Sequence, residues 1–245
     1  MATYYCKTRL ADKNIEIESI NKHVLQKYKD YLSGFEEADY VINATAEEIR
    51  QKVISFAGIP FPDDPEIATE FRDSEFLVHL QKAAGFLIRF GILLIHGAAI
   101  SVEGKGYIFI APSGTGKTTH IMNWLKRIPG TIVVNGDKPF VDAEKKTIYG
   151  SPWCGKEGMN TNISVPLSGL IFLERGEENS IAPQMFKKML PIIIQQTHIP
   201  TDANLTVYKL IDKIRNVPCY TLKCNMEPES ALVAYNGIKE NECHV

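Results

Sequence analysis

The chain has 245 residues, 44% of them hydrophobic and 23% charged, enough to bury a core as one large domain or as one domain with an appendage. Its 27 Lys and Arg stand against 29 Asp and Glu, so no net charge draws it to nucleic acid or to an anionic membrane, and an anionic ligand must be met by local chemistry. Met1 to Lys7 has no basic stretch leading into an apolar run, and the most apolar stretch, Ala83 to Ile100, is broken by Arg89, Gly91, His96 and Gly97; neither a secretory leader nor a membrane span is expected.

In chain order, the first forty residues mix short strand-like runs with Tyr and charge. Thr45, with Glu48 three residues on, marks a capped helix. Pro60, Pro62 and Pro65 then make an irregular connector, which suggests a small N-terminal α+β subdomain over 1–70 and a kinase-like P-loop domain over 71–245. From Ser74, the positions Phe76, Leu77, Leu80, Ala83, Ala84, Leu87 and Ile88 follow helical spacing, and Gly91 supplies a stop. Ile92–Val102 and Tyr107–Ile110 read as two strands around a Glu-Gly-Lys-Gly turn, an antiparallel hairpin leading into a glycine loop. Strands are predicted at 131–135, 147–150, 169–174 and 218–224, and helices near 117–127, 184–197, 204–214 and 228–240, which together describe a mixed-sheet α/β core.

Five cysteines, an odd number with no Cys-x-x-Cys pair, fit a reducing cytoplasm better than a disulfide framework. Cys219, Cys224 and His244 could surround zinc, but Val217 to Cys224 reads as a strand in which cysteine acts as a small hydrophobe, and that reading is preferred.

Ala111-Pro-Ser-Gly-Thr-Gly-Lys-Thr118 is a Walker A sequence with Ala in place of the first Gly. Gly114 and Gly116 let the backbone turn its N–H groups inward; with Ser113, Thr115, Thr119 and the N-terminus of the next helix they suit phosphate oxygens. Lys117 reaches the β and γ phosphates of ATP, and the Thr118 hydroxyl ligates Mg2+. A helix of ten residues carries the chain about 15 Å away and the following strand returns it, which brings Asp137 back to the phosphates as a metal-linked or basic carboxylate. The alternative is that Asn135 to Pro139 is only a turn. Ser151 to Gly158 combines glycines, Trp153, Lys156 and Glu157 in one loop that suits a substrate cover, with Lys156 on a phosphate and Glu157 on a hydroxyl, unless Trp153 simply packs and the charges are simply solvated. His96, ending a strand-like run, is a further catalytic candidate against a hydrogen-bonded core role.

Ser113-Gly-Thr-Gly-Lys-Thr-Thr119 resembles the P-loop of phosphoenolpyruvate carboxykinases, and Ile95-His-Gly-Ala-Ala99 resembles the segment preceding the P-loop of HPr kinase/phosphorylase. Val134-Asn-Gly-Asp-Lys138 looks like the acidic segment of that group, where two adjacent carboxylates usually stand at the metal; here Asp137 alone matches, and Glu157 is the candidate for the second. The resemblance covers roughly 90–245 and implies a mixed-sheet fold with a hairpin before the P-loop, Mg2+ and ATP as cofactors, and phosphoryl transfer to a serine-type hydroxyl on a protein, peptide or small molecule. Residues 1–90 resemble nothing in that group, so the acceptor is expected to differ from HPr. Neither nucleic acid nor membrane is expected as a partner, and an oligomer is compatible with the chain. The competing reading is a nucleotide-binding sensor or regulatory NTPase that transfers to no acceptor; a decarboxylating carboxykinase is disfavoured, because no dense Arg/Lys set for an oxalate-like substrate is recognisable.

Overall fold

The computed structural model describes residues 3–57, 69–200 and 203–242; the prolines at 60, 62 and 65, Cys243 and His244 lie outside them. Contacts divide the chain into residues 1–90 and 91–245. The helix Thr69–Leu87 packs with elements of the first unit.

In the first unit β1 (Tyr4–Leu10) and β2 (Lys13–Ser19) pair antiparallel, and β3 (Tyr40–Ile42) adds parallel to β2. Ala11 and Asp12 turn between the first two with φ of 46° and 64°, the left-handed pair that matches the twist of a two-residue hairpin. Leu10, Ile15 and Ile17 point inward at alternate positions. After the short α1 (Lys22–Leu25), α2 (Ala46–Ala57) begins as its sequence requires: Thr45 Oγ1 accepts from Glu48 N at 3.2 Å and Glu48 Oε2 accepts from Thr45 N at 2.8 Å. Ile49 and Val53 on α2 meet Val78 on α3 (Thr69–Leu87).

Among the described residues, the second unit is built on nine strands in one mixed sheet. β4 (Ile92–Leu94), β5 (Ala98–Val102) and β6 (Lys105–Ile110) lead to α4 (Lys117–Arg127), followed by β7 (Ile132–Asn135), β8 (Phe140–Asp142), β9 (Thr147–Tyr149) and the long β10 (Ser164–Arg175). β11 (Ser180–Gln184), α5 (Phe186–Gln196), α6 (Asn204–Lys213), β12 (Cys219–Cys224) and α7 (Glu229–Glu242) complete it. The strand order is β4-β8-β9-β10-β6-β5-β7, with β12 also on β10 and β11 on β12. β10 runs parallel to β6 and to β12; the other pairs are antiparallel.

The hairpin before the glycine loop is β5–β6, with Ala98 opposite Phe109 and Val102 opposite Lys105. It is shorter than the sequence suggested. Ile92–Val102 is two strands, because His96 N donates to Gln196 O at 2.7 Å and Gly97 N to Asp137 O at 2.9 Å, which takes this stretch out of any ladder and sends β4 to β8. Buried Phe109, Ile121 and Trp124 pack with Ala231 and Ala234 of α7, so α4 is anchored on one face of β6. Among the described residues no helix is long and apolar enough to cross a membrane.

Candidate phosphate-binding site

β6 is buried along nearly its whole length, as a strand with neighbours on both sides and cover on both faces should be, and it ends at Ile110 directly before the glycine loop. Gly114 and Gly116 take φ of 78° and 119°. At Gly114 a side chain would meet open space, so backbone conformation alone demands glycine there. Ala111 is not among the residues with positive φ, and its methyl is buried in the core beside Phe109 and Ile121; alanine meets no strain in the first loop position.

Lys117 opens α4, with Gly116 as its left-handed N-cap. Its ammonium donates to Ala111 O at 2.8 Å and lies 3.5 Å from Pro112 O, folded into its own loop. Burial lowers its pKa from the ordinary lysine value, Asp137 pulls the other way and Lys138 adds to the lowering. Arg175, the last residue of β10, donates from Nη2 to Gly114 O at 2.6 Å and so braces the tip of the loop from the parallel neighbour strand.

Asp137 returns to this loop from the far end of β7. Asn135, wholly buried, holds it: Oδ1 accepts from Asp137 N at 2.8 Å and Lys138 N at 2.6 Å, while Nδ2 donates to Ser151 O at 2.9 Å and Ser151 Oγ at 3.0 Å. The Asn-Gly turn is therefore real, and it is the device that presents the carboxylate. Asp137 Oδ1 lies 3.1 Å from His96 Nε2, and Oδ2 pairs with the Lys138 ammonium. Burial alone would raise the Asp137 pKa; the hydrogen bonds from His96 and Lys138 outweigh it and hold the carboxyl down at about 2.

The 151–158 loop divides into a packed and an exposed half. Trp153 is buried edge-on against Phe140, with ring centroids 6.0 Å apart, so it is core and not substrate cover. Lys156 and Glu157 are exposed. Gly155, at φ 81°, brings them to the site: a Cβ there would lie 3.2 Å from Asp137 Cβ and 3.6 Å from Glu157 Oε2.

One cavity of about 410 Å3 collects these groups: His96, Asp137, Lys156 and Glu157 face Ser113, Gly114, Thr115, Gly116, Lys117, Thr118 and Thr119 across it. The residues expected to meet phosphate, metal or acceptor line it together, and Trp153 does not. Arg175 and Met226 line it too and carried no local signal, since they reach the loop only through the pairing of β10 and β12. No group of three or more His, Cys, Asp or Glu arranged for a metal occurs among the described residues. Thr118 and Asp137 supply one hydroxyl and one carboxylate, a donor set that suits Mg2+ sharing its sphere with nucleotide oxygens and water rather than a self-sufficient metal cage. Cys219 is buried in β12, its thiol pushed up to about 11 by burial, as a small apolar residue would be.

No family model matches the chain, and no curated protein matches it. Among solved structures, the HPr(Ser) kinase/phosphatase from Coxiella burnetii aligns with 62% of this chain and 93% of its own at 12% identity, with a TM-score of 0.34.

Proposed function

We propose that the chain binds Mg2+-ATP on the 111–118 loop and transfers the γ-phosphoryl group to a serine-type hydroxyl on a protein, a peptide or a small molecule. The observation that carries this reading is the His96–Asp137 pair, with Lys138 on the other carboxylate oxygen, in a cavity that Lys117 and Thr118 also line. A glycine loop holds the phosphates of a nucleotide, and a carboxylate fixed from both sides beside it adds a group able to hold the metal and to meet an acceptor hydroxyl. Mg2+ would be held by Thr118 and Asp137 and would neutralise charge on the β and γ oxygens. The loop amides and Lys117 hold and orient the phosphates, which matters more than a strong base because the transferred group is largely metaphosphate-like at the transition state. Asp137, ionised at neutral pH, positions the acceptor hydroxyl and takes its proton late, with His96 on Oδ1 steadying the carboxylate; Glu157, which lines the same cavity, is the alternative proton acceptor.

The decisive experiment incubates the protein with γ-labelled ATP, Mg2+ and a panel of serine, threonine, polyols and Ser-containing peptides. Label on an acceptor supports the kinase reading. Tight ATP binding with no transfer to the panel or to protein in a cell extract favours the nucleotide sensor instead.

A further inference from the structure

β10 outruns its neighbour β6. Phe172 is the register partner of Ile110, the last residue of β6, so β10 continues three residues further, about 10 Å, alongside the glycine loop, and ends there on Arg175. The overhang is held by a ladder: Glu174 and Arg175 pair with Lys223 and Cys224 of parallel β12, and Gly176 N donates to Cys224 O at 3.1 Å. A strand end, not a turn, therefore carries the guanidinium over the loop, and the 2.6 Å bond from Nη2 to Gly114 O fixes its orientation.

That bond leaves most of the group unspent. A guanidinium carries five N–H donors, and Gly114 O takes one of them. Other cations of the second unit are matched to carboxylates, Arg127 to Glu229, Lys138 to Asp137, Lys213 to Glu144 and Lys239 to Glu103; among the described residues Arg175 has no such partner. Arg175 lines the cavity that holds Lys117, Thr118 and Asp137, and also a second one of about 430 Å3, lined by Thr115, Gly116 and Thr119 as well, from which those three are absent. It stands where the two cavities meet, at the end of the phosphate cavity that leads away from the acceptor carboxylate. The part of the donor that is not transferred lies on that side. Bracing a carbonyl needs one donor and no charge, and an unpaired guanidinium supplies a charge and donors to spare.

We infer that Arg175 is a catalytic residue, whose guanidinium keeps one N–H on Gly114 O and gives others to the β-phosphate oxygens of ATP, the leaving group of the transfer. The inference rests on the phosphoryl transfer proposed above and extends it to the leaving diphosphate. As the acceptor oxygen bonds to the γ-phosphorus, the bond from that phosphorus to the bridging oxygen breaks, its electron pair stays on ADP, and the acceptor proton passes to Asp137. In a loose transition state bond breaking runs ahead of bond making, so charge gathers on ADP. A planar, permanently charged fork on the β-phosphate is therefore worth more in the transition state than in the ground state, and shows in the rate more than in the affinity.

Calorimetry with Mg2+ and ATP or ADP, single-turnover transfer of label at saturating ATP, and thermal melting test this on the wild type, Arg175→Met and Arg175→Lys. Arg175 is exposed, and both variants should melt close to wild type. Arg175→Met, which keeps an unbranched stem, should bind ATP and ADP about 5-fold more weakly and transfer at least about 100-fold more slowly. Arg175→Lys keeps the charge and a donor for Gly114 O but not the fork; it should bind both nucleotides within about 3-fold of wild type and transfer at least about 10-fold more slowly. An unchanged transfer rate at saturation in Arg175→Met, whatever its affinity, or a wild-type rate in Arg175→Lys, would leave the arginine as a brace for the loop and overturn the inference. A wild-type protein that binds ATP and labels no acceptor sinks the proposed function instead, and the ADP comparison then still decides whether Arg175 touches the diphosphate.

Discussion

His96 Nε2 stands 3.1 Å from Asp137 Oδ1, while the Gly97 amide, one residue on, donates to the Asp137 carbonyl at 2.9 Å. The link between β4 and β5 thus grips Asp137 by both side chain and main chain. Asp137→Asn should cut phosphoryl transfer by roughly 100-fold or more with ATP affinity changed much less, because the amide keeps the shape and loses the charge. Single-turnover kinetics beside calorimetry separates the two. Equal rates in mutant and wild type would leave Asn135 to Pro139 as a structural turn only.

The same carboxylate gives a pH signature. Its folded pKa of about 2 lies below its ordinary value of 3.8, so the stability it contributes is present above pH 4 and is lost as pH falls from there through 2. The Asp137→Asn variant should therefore be less stable than wild type by roughly 1–2 kcal/mol at pH 7, with the gap closing below pH 3. Urea melts at the two pH values measure this, and a gap that persists at pH 2 contradicts it.

Lys117→Ala should remain folded and lose at least about 10-fold in Mg2+-ATP affinity, since the ammonium's hydrogen bonds go to the Ala111 and Pro112 carbonyls of its own loop and the proposed function gives it the phosphates. Thermal melting and calorimetry on one preparation decide it. A folded variant with wild-type affinity would move the phosphate site elsewhere.

Gly155→Ala should act on turnover more than on binding. Its φ of 81° is costly for alanine, by about 1 kcal/mol, and its methyl would press at 3.2 Å on Asp137 Cβ. The expected result is a modest fall in melting temperature, a kcat reduced several-fold or more, and an ATP affinity close to wild type. An unchanged kcat would show that the 151–158 loop gives way without disturbing the carboxylate.

Glu75, in the first unit, gives a test that involves none of the site residues. Its Oε1 accepts from Ser19 Oγ and Ile20 N, both at 2.8 Å, but its Oε2, wholly buried, meets no donor. Burial raises its pKa, and His79 beside it, driven down to about 3 chiefly by burial, is neutral and supplies no countercharge. A raised folded pKa means that stability is greatest below the unfolded pKa and falls as pH rises through the folded one. Glu75→Gln should stabilise the chain by about 1 kcal/mol at pH 8 and by less at pH 5; the reverse order in thermal melts would contradict this.

The residues that the sequence disclosed are those whose geometry is local. The glycine loop, α4 and the return of β7 to Asp137 follow from a strand, a tight turn and a helix in succession, and the capping pair Thr45 and Glu48 is likewise read over four residues. Arg175 was hidden because it lies 61 residues from the Gly114 carbonyl it braces, and only the parallel pairing of β6 with β10 brings the two together. Met226 was hidden for the same reason, through β12. β11 lacks the apolar alternation that marks a half-buried strand: it is a largely exposed edge carrying Pro183, which an edge tolerates. The break at Ile95 to Gly97 was missed because the run is uniformly apolar up to His96, and what interrupts it is a pair of amide bonds to distant carbonyls.

Asn135 and Gly136 form the dipeptide most prone to spontaneous loss of ammonia, in which the glycine nitrogen attacks the side-chain amide carbon and closes a five-membered imide. In the folded chain the Gly136 amide donates to Met159 O at 2.8 Å, and both ends of the Asn135 carboxamide are engaged, so the nitrogen and its target are held apart by their own hydrogen bonds. Unfolding releases both. A chain that deamidates while unfolded carries aspartate or isoaspartate at 135, loses the donor to Ser151, and returns with the turn that presents Asp137 chemically altered, so that the mass gained when the amide becomes an acid at this position marks molecules that have been unfolded.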